Sequence, residues 1–166
     1  MAGKADFTPA EWKTLLESVM MAGIAVTAAD PSGLWGTLKE SMAGAQTVMG
    51  AAHDAGAAEL IKALAADFET AEGRATARDG LRAELSGKRP AEITARCLDV
   101  LKQAAAIAES KAPAEAGALK NWLRHISEAV AEASKEGGFL GFGGERVSDA
   151  EKATLAQISA SLGLAA

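Results

Sequence analysis

The sequence predicts an all-α protein: an antiparallel bundle of about six helices with tight, alanine-rich packing. Three observations point there. Forty of the 166 residues are alanine, the residue that loses least on entering a helix. β-Branched residues are sparse, and no stretch alternates apolar and polar side chains with a period of two. Proline, glycine and capping residues recur at the ends of segments whose apolar positions lie three and four apart. The length fits one domain, residues 1–166.

The first helix has the clearest start. Thr8 caps it, Pro9 occupies its first turn, and Glu11 completes a capping box. Phe7 and Trp12 are placed to staple that end. Trp12, Leu15, Leu16, Val19, Met20, Gly23 and Val26 follow helical spacing, so the helix runs from Pro9 to about Ala29. Asp30-Pro31-Ser32-Gly33 is a turn that opens the second helix, whose stripe is Leu34, Leu38, Met42, Ala45, Met49 and Ala52. Gly56 is its expected stop. The third segment, 57–86, carries Leu60, Ile61, Leu64, Phe68, Ala71 and Ala75 at helical spacing, with Gly73 and Gly80 as weak points in its second half.

Pro90 starts the fourth helix, with Ile93, Cys97, Val100, Leu101, Ala104 and Ile107 inward. Pro113 opens the fifth, with Ala116, Leu119, Leu123, Ile126, Val130 and Ala133 inward. A Gly/Phe-rich loop, 137–147, then interrupts the pattern. Ser148 and Glu151 form a second capping box, Leu155, Ile158 and Leu162 face inward, and Gly163 closes the last helix.

Residues 136–151, Glu-Gly-Gly-Phe-Leu-Gly-Phe-Gly-Gly followed by Val-Ser-x-x-Glu, resemble the C-terminal portion of small uncharacterised bacterial all-helical proteins. Ala29-Asp30-Pro31-Ser32-Gly33 is similar to them as well. The resemblance implies no activity and carries over no functional residue.

The net charge of −5 disfavours nucleic-acid phosphates and anionic membranes as partners. The most apolar run, 19–29, is too short to span roughly 30 Å of hydrocarbon and reads as a buried core helix. The single cysteine and the absence of an export signal in the first residues place the protein in a reducing cytoplasm.

Catalytic and cofactor motifs are missing. A ferritin-like carboxylate site needs two Glu-x-x-His motifs, but Gly50 precedes His53 by three residues and Trp122 precedes His125 by three. His125, Glu128 and Glu132 share one helix face, with His53 a distant fourth donor; the plainer reading is a hydrated polar face. Cys97 occupies a core-spaced position and reads as a small buried hydrophobe. No nucleophile elbow, Cys-x-x-Cys or Walker lysine occurs. Gly141-Phe142-Gly143-Gly144 lacks the order of a dinucleotide fingerprint and follows a helix rather than a strand. No metal and no cofactor is expected, and an enzyme is the weakest reading, because no acid, base and nucleophile converge.

Three groups remain as candidate contact residues. Phe139, Leu140 and Phe142 either fold over an open end of the bundle or project as an interaction patch. Membrane contact is disfavoured there, since Lys135 and Arg146 are offset by Glu136 and Glu145. Arg74, Arg78 and Arg82 recur every four residues, as do Glu128, Glu132 and Glu136. Each stripe repels itself, so the two pair with one another within a subunit or across a dimer, or the arginines meet an acidic partner or RNA, or both stripes are solvated beside Asp79 and Glu84. Finally, Trp35, Met42, Met49 and Trp122 could line an apolar ligand pocket or simply fill the core. The leading expectation is a non-enzymatic interaction protein whose partner is another protein or a second copy of itself in a dimer. The alternative is a small-molecule binder with an apolar pocket between helices.

Overall fold

A computed structural model describes residues 1–29, 34–135 and 148–165, with the side chains of 34–43 and 134–135 excepted. The turn at Asp30–Gly33, the side chains of Trp35 and Met42, Glu136 and the segment carrying Phe139, Leu140 and Phe142 therefore lie outside the described residues. The described residues are all-helical, with no strand. After a short 3-10 turn at Lys4–Asp6 come α1 (Pro9–Ala29), α2 (Leu34–His53), α3 (Glu59–Glu69), α4 (Ala71–Leu85), α5 (Pro90–Lys111), α6 (Pro113–Lys135) and α7 (Asp149–Ser161).

At α1 and α7 the predicted capping side chains make the helix starts. Thr8 N–H donates to Glu11 Oε2 at 2.8 Å and Glu11 N–H donates to Thr8 Oγ1 at 3.2 Å. The Phe7 and Trp12 rings meet with centroids 5.6 Å apart. At α7, Ser148 N–H donates to Glu151 Oε2 at 2.8 Å, and Glu151 N–H donates to Ser148 Oγ at 3.2 Å. Gly163, with φ of 67°, turns the chain out of the last helix. That left-handed conformation favours glycine.

The segment 57–86 is two helices rather than one, which makes seven α-helices among the described residues where about six are expected from the sequence. The break falls at Thr70, not at Gly73 or Gly80. Thr70 leaves the helical conformation and its Oγ1 accepts from Gly73 N–H at 2.9 Å, capping α4. Arg74 Nη1 closes the other side of the corner, donating to the carbonyls of Phe68 at 3.0 Å and Glu69 at 2.7 Å. These are C-terminal carbonyls of α3 that have no partner within their own helix. The corner is tight: a Cβ at Gly73 would stand 2.1 Å from the Asp67 carbonyl oxygen.

α1 is the central element, packing against α5, α6, α4, α2 and α7. Encircled in this way, it buries Met21, Ala22 and Ala25 as well as the expected stripe of Trp12, Leu15, Leu16, Val19 and Val26. Even Glu17 and Ser18 are enclosed. Met20, expected inward, is instead 38% exposed. α2 also differs from its expected stripe: Met49 is 57% exposed and Ala45 is exposed, while Val48 and Ala51 pack on the core. Both departures have one cause, an open cleft beside α1 and α2 that their apolar residues line.

Three polar clamps set the helices around α1. Asp67 of α3 accepts from Trp12 Nε1 at 2.7 Å and pairs with Lys4 at 3.2 Å. Ser127 of α6 donates to the Ala22 carbonyl at 2.8 Å. Glu115, in the first turn of α6, accepts from Leu60 N–H and Ala2 N–H, each at 2.7 Å. Desolvation raises the Glu115 pKa, but the hydrogen bonds from Leu60 and Ala2 together with the ammonium of Met1 outweigh it and hold the carboxyl below its ordinary value of 4.5.

A group whose folded pKa is depressed stabilises the fold fully above its ordinary value, and that contribution is lost as pH falls through the folded value. Glu115→Gln keeps one acceptor oxygen and loses the other. It is expected to cost about 1–2 kcal/mol at pH 7 and to flatten the loss of stability below pH 4.5. Urea unfolding at several pH values measures both effects. An acid limb as steep as in the parent chain would show that Glu115 does not carry it.

Candidate functional site

The cleft has a volume of about 910 Å³ and is walled by residues from α1 to α6. Its lining is chiefly aliphatic and aromatic, with Val19, Ile24, Val48, Phe68, Ile126 and Val130 the larger groups. Small residues let it form. Gly23 of α1 and Gly44 of α2 stand where a Cβ would lie 3.2 and 3.4 Å from Val130 Cγ2. The Val130 side chain therefore rests almost on the backbones of both helices. Met20 and Met49 line the cleft with exposed side chains. Methionine is unbranched and polarisable, and it adapts to apolar surfaces of varied shape.

The polar part of the lining is compact. Thr27 comes from α1, Glu69 from the end of α3, and Arg74 and Arg78 from α4. Glu69 Oε1 lies 3.4 Å from His53 Nε2. Arg78 Nε pairs with Asp79 at 3.3 Å, with the two side chains 63% and 66% exposed.

Of the four residues read as a pocket, Met49 lines this cleft. Trp122 is buried on α6 in the main core, and its indole Nε1 meets no acceptor among the described residues. The two arginines that the structure brings to the cleft come from the charge stripe, which the sequence offers for a different role. Arg74 caps α3, Arg78 pairs with its neighbour and Arg82 is exposed. On the other stripe, Glu128 pairs with Arg124 at 3.3 Å and lies 3.9 Å from His125 Nδ1. Glu132 is exposed. Among the described residues, no ion pair joins Arg74, Arg78 or Arg82 to Glu128 or Glu132.

The acidic residues near the arginines also have defined positions. Glu84 accepts from Arg96 Nε at 2.6 Å, and this hydrogen bond holds its carboxyl below the ordinary range. Glu17 is 4% exposed and pairs with Lys13 at 3.3 Å. Gly80 leaves room for it, since a Cβ there would lie 1.8 Å from Glu17 Oε1.

Burial pushes the Cys97 thiol up to about 12, so it remains protonated and a poor nucleophile. No group of three or more His, Cys, Asp or Glu side chains that could hold a metal occurs among the described residues. No described helix is long and apolar enough to cross a membrane. Compared with known protein families, curated proteins and solved structures, the chain matches none.

Proposed function

We propose that this chain is a small-molecule-binding protein whose ligand enters the apolar cleft beside α1 and α2. One observation carries the reading: a cavity of about 910 Å³ with aliphatic walls and a small polar group on one side. Ligand sites of roughly 300–1,000 Å³ have this composition, apolar walls for affinity and a few polar groups for orientation. Burying apolar ligand surface there gains about 25 cal/mol per Å² removed from water. The linkage of α5 to α6 through Ala112 alone, and the packing of the two helices on one another, support an antiparallel bundle as the frame. The free thiol of Cys97 fits a cytoplasmic setting.

Self-association is the second reading. Met49, 57% exposed on the rim of an apolar surface, favours it, and a second copy would cover that surface. Phe139, Leu140 and Phe142 and the two charge stripes could add to such an interface.

Nile red, a neutral dye that brightens and shifts to the blue in apolar surroundings, tests the first reading. The parent chain is expected to bind one dye per monomer. Ala45→Trp, which places a ring in the cleft from an exposed position on α2, is expected to weaken binding about tenfold or more. Unchanged binding by Ala45→Trp would sink the cleft as the ligand site. Light scattering on the same samples separates the readings: a dimer that Ala45→Trp dissociates, without dye binding in the parent, favours self-association.

A further inference from the structure

The cleft wall carries guanidinium groups as well as hydrocarbon, and their arrangement selects a kind of ligand. Arg74 is fixed by its Nη1 bonds to the Phe68 and Glu69 carbonyls, both of them neutral acceptors. Its charge is held in place and is not cancelled by them. Arg78 follows one turn later on the same helix, and its ion-pair partner is Asp79, its neighbour in sequence. Both side chains of that pair are about two-thirds exposed, and such a pair contributes little and exchanges readily. The acidic group of the described lining is Glu69, which faces His53. Arg74 thus has no ion-pair partner among the described residues, and Arg78 has one that a ligand can replace, on a surface that is otherwise mostly apolar. A wholly apolar ligand would leave these two guanidiniums unused.

Resting on the binding reading above, we propose that the ligand is a single-chain amphipath with a carboxylate head. Its hydrocarbon chain lies along the wall formed by Ile24, Val48 and Phe68, and its carboxylate replaces Asp79 on Arg78. The planar guanidinium fork matches a carboxylate through two parallel N–H···O bonds. The fixed charge of Arg74 adds to the attraction without having to move. The exposed thioethers of Met20 and Met49 adjust to chain length.

Calorimetric titration of the full chain with dodecanoate and with dodecan-1-ol, each below the concentration at which it aggregates, tests the head group. The two probes share a chain and differ in charge. Dodecanoate is expected to bind about tenfold more tightly. In Arg78→Gln that advantage is expected to vanish while the alcohol binds as before, which also shows that the variant keeps its cleft. Equal affinities in the parent, or an undiminished preference in Arg78→Gln, would overturn the head-group assignment and leave the cleft as an apolar site. Loss of alcohol and carboxylate binding together in Arg78→Gln would also overturn it, since the arginine would then shape the cleft rather than read the head. Failure of both probes in the parent would overturn the assignment too, and the Nile red titration then reports separately whether the cleft binds anything.

Discussion

Gly73→Ala is expected to melt about 10 °C below the parent chain, a loss of about 3 kcal/mol. Two effects oppose each other at this position. Alanine is favoured over glycine inside a helix by about 1 kcal/mol. Against that, the new Cβ would sit 2.1 Å from the Asp67 carbonyl oxygen and 2.7 Å from its carbon, which are backbone atoms at the α3–α4 corner. They cannot swing aside as a side-chain tip can. The corner would have to open, and with it the Thr70 cap and the Arg74 bonds to α3. Gly117→Ala provides the contrast, because nothing lies within 4 Å of a Cβ there. It is expected to leave stability unchanged or raise it by up to about 1 kcal/mol. Thermal unfolding followed by circular dichroism measures both. Similar melting temperatures for the two variants would show that the corner is looser than described.

The largest side-chain effect is expected in α1. Leu15→Ala removes a fully buried side chain from the helix that touches most of the others. It should cost about 3–4 kcal/mol, the lost transfer energy plus the residual cavity. Met20→Ala, on the same helix but at the cleft, should change stability by less than about 0.5 kcal/mol. Urea midpoints for the pair test whether α1 is encircled on one side and open on the other. A Leu15→Ala cost below about 1 kcal/mol would contradict its place at the centre of the core.

Local features of this fold are legible in the sequence because they depend on neighbours a few residues apart. The Thr8–Glu11 and Ser148–Glu151 boxes and the Phe7–Trp12 contact are of this kind. The α3–α4 corner is not read in the same way. Phe68, Ala71 and Ala75 continue helical spacing through Thr70, so the apolar pattern hides a one-residue break. A signal was there: Thr70 is followed by an acidic residue, Glu72, in the first turn of α4. Gly73 and Gly80 read as helix weaknesses, whereas each accommodates a close neighbour.

The cleft was beyond the reach of spacing arguments for a different reason. An apolar stripe looks the same whether it meets another helix or lines a hollow, so Met20 and Met49 could not be told from core residues. Residue type alone points to tryptophans and methionines as a pocket; of the two members of that set whose side chains are described, Met49 lines the cleft and Trp122 lies in the main core. By spacing, the arginines at its wall form one stripe along a helix. In the structure they divide their roles, Arg74 closing the end of α3 and Arg78 lying exposed at the cleft beside Asp79.

Cys97, fully enclosed on α5 with its thiol pushed up to about 12, has a practical consequence. Thiolate is the reactive form, so an alkylating reagent can reach this sulfur only when the surrounding helices part. Its rate of alkylation thus reports opening of the core around α5. The natural chain also provides a silent background in which one cysteine added at the surface can carry a spin label or a dye.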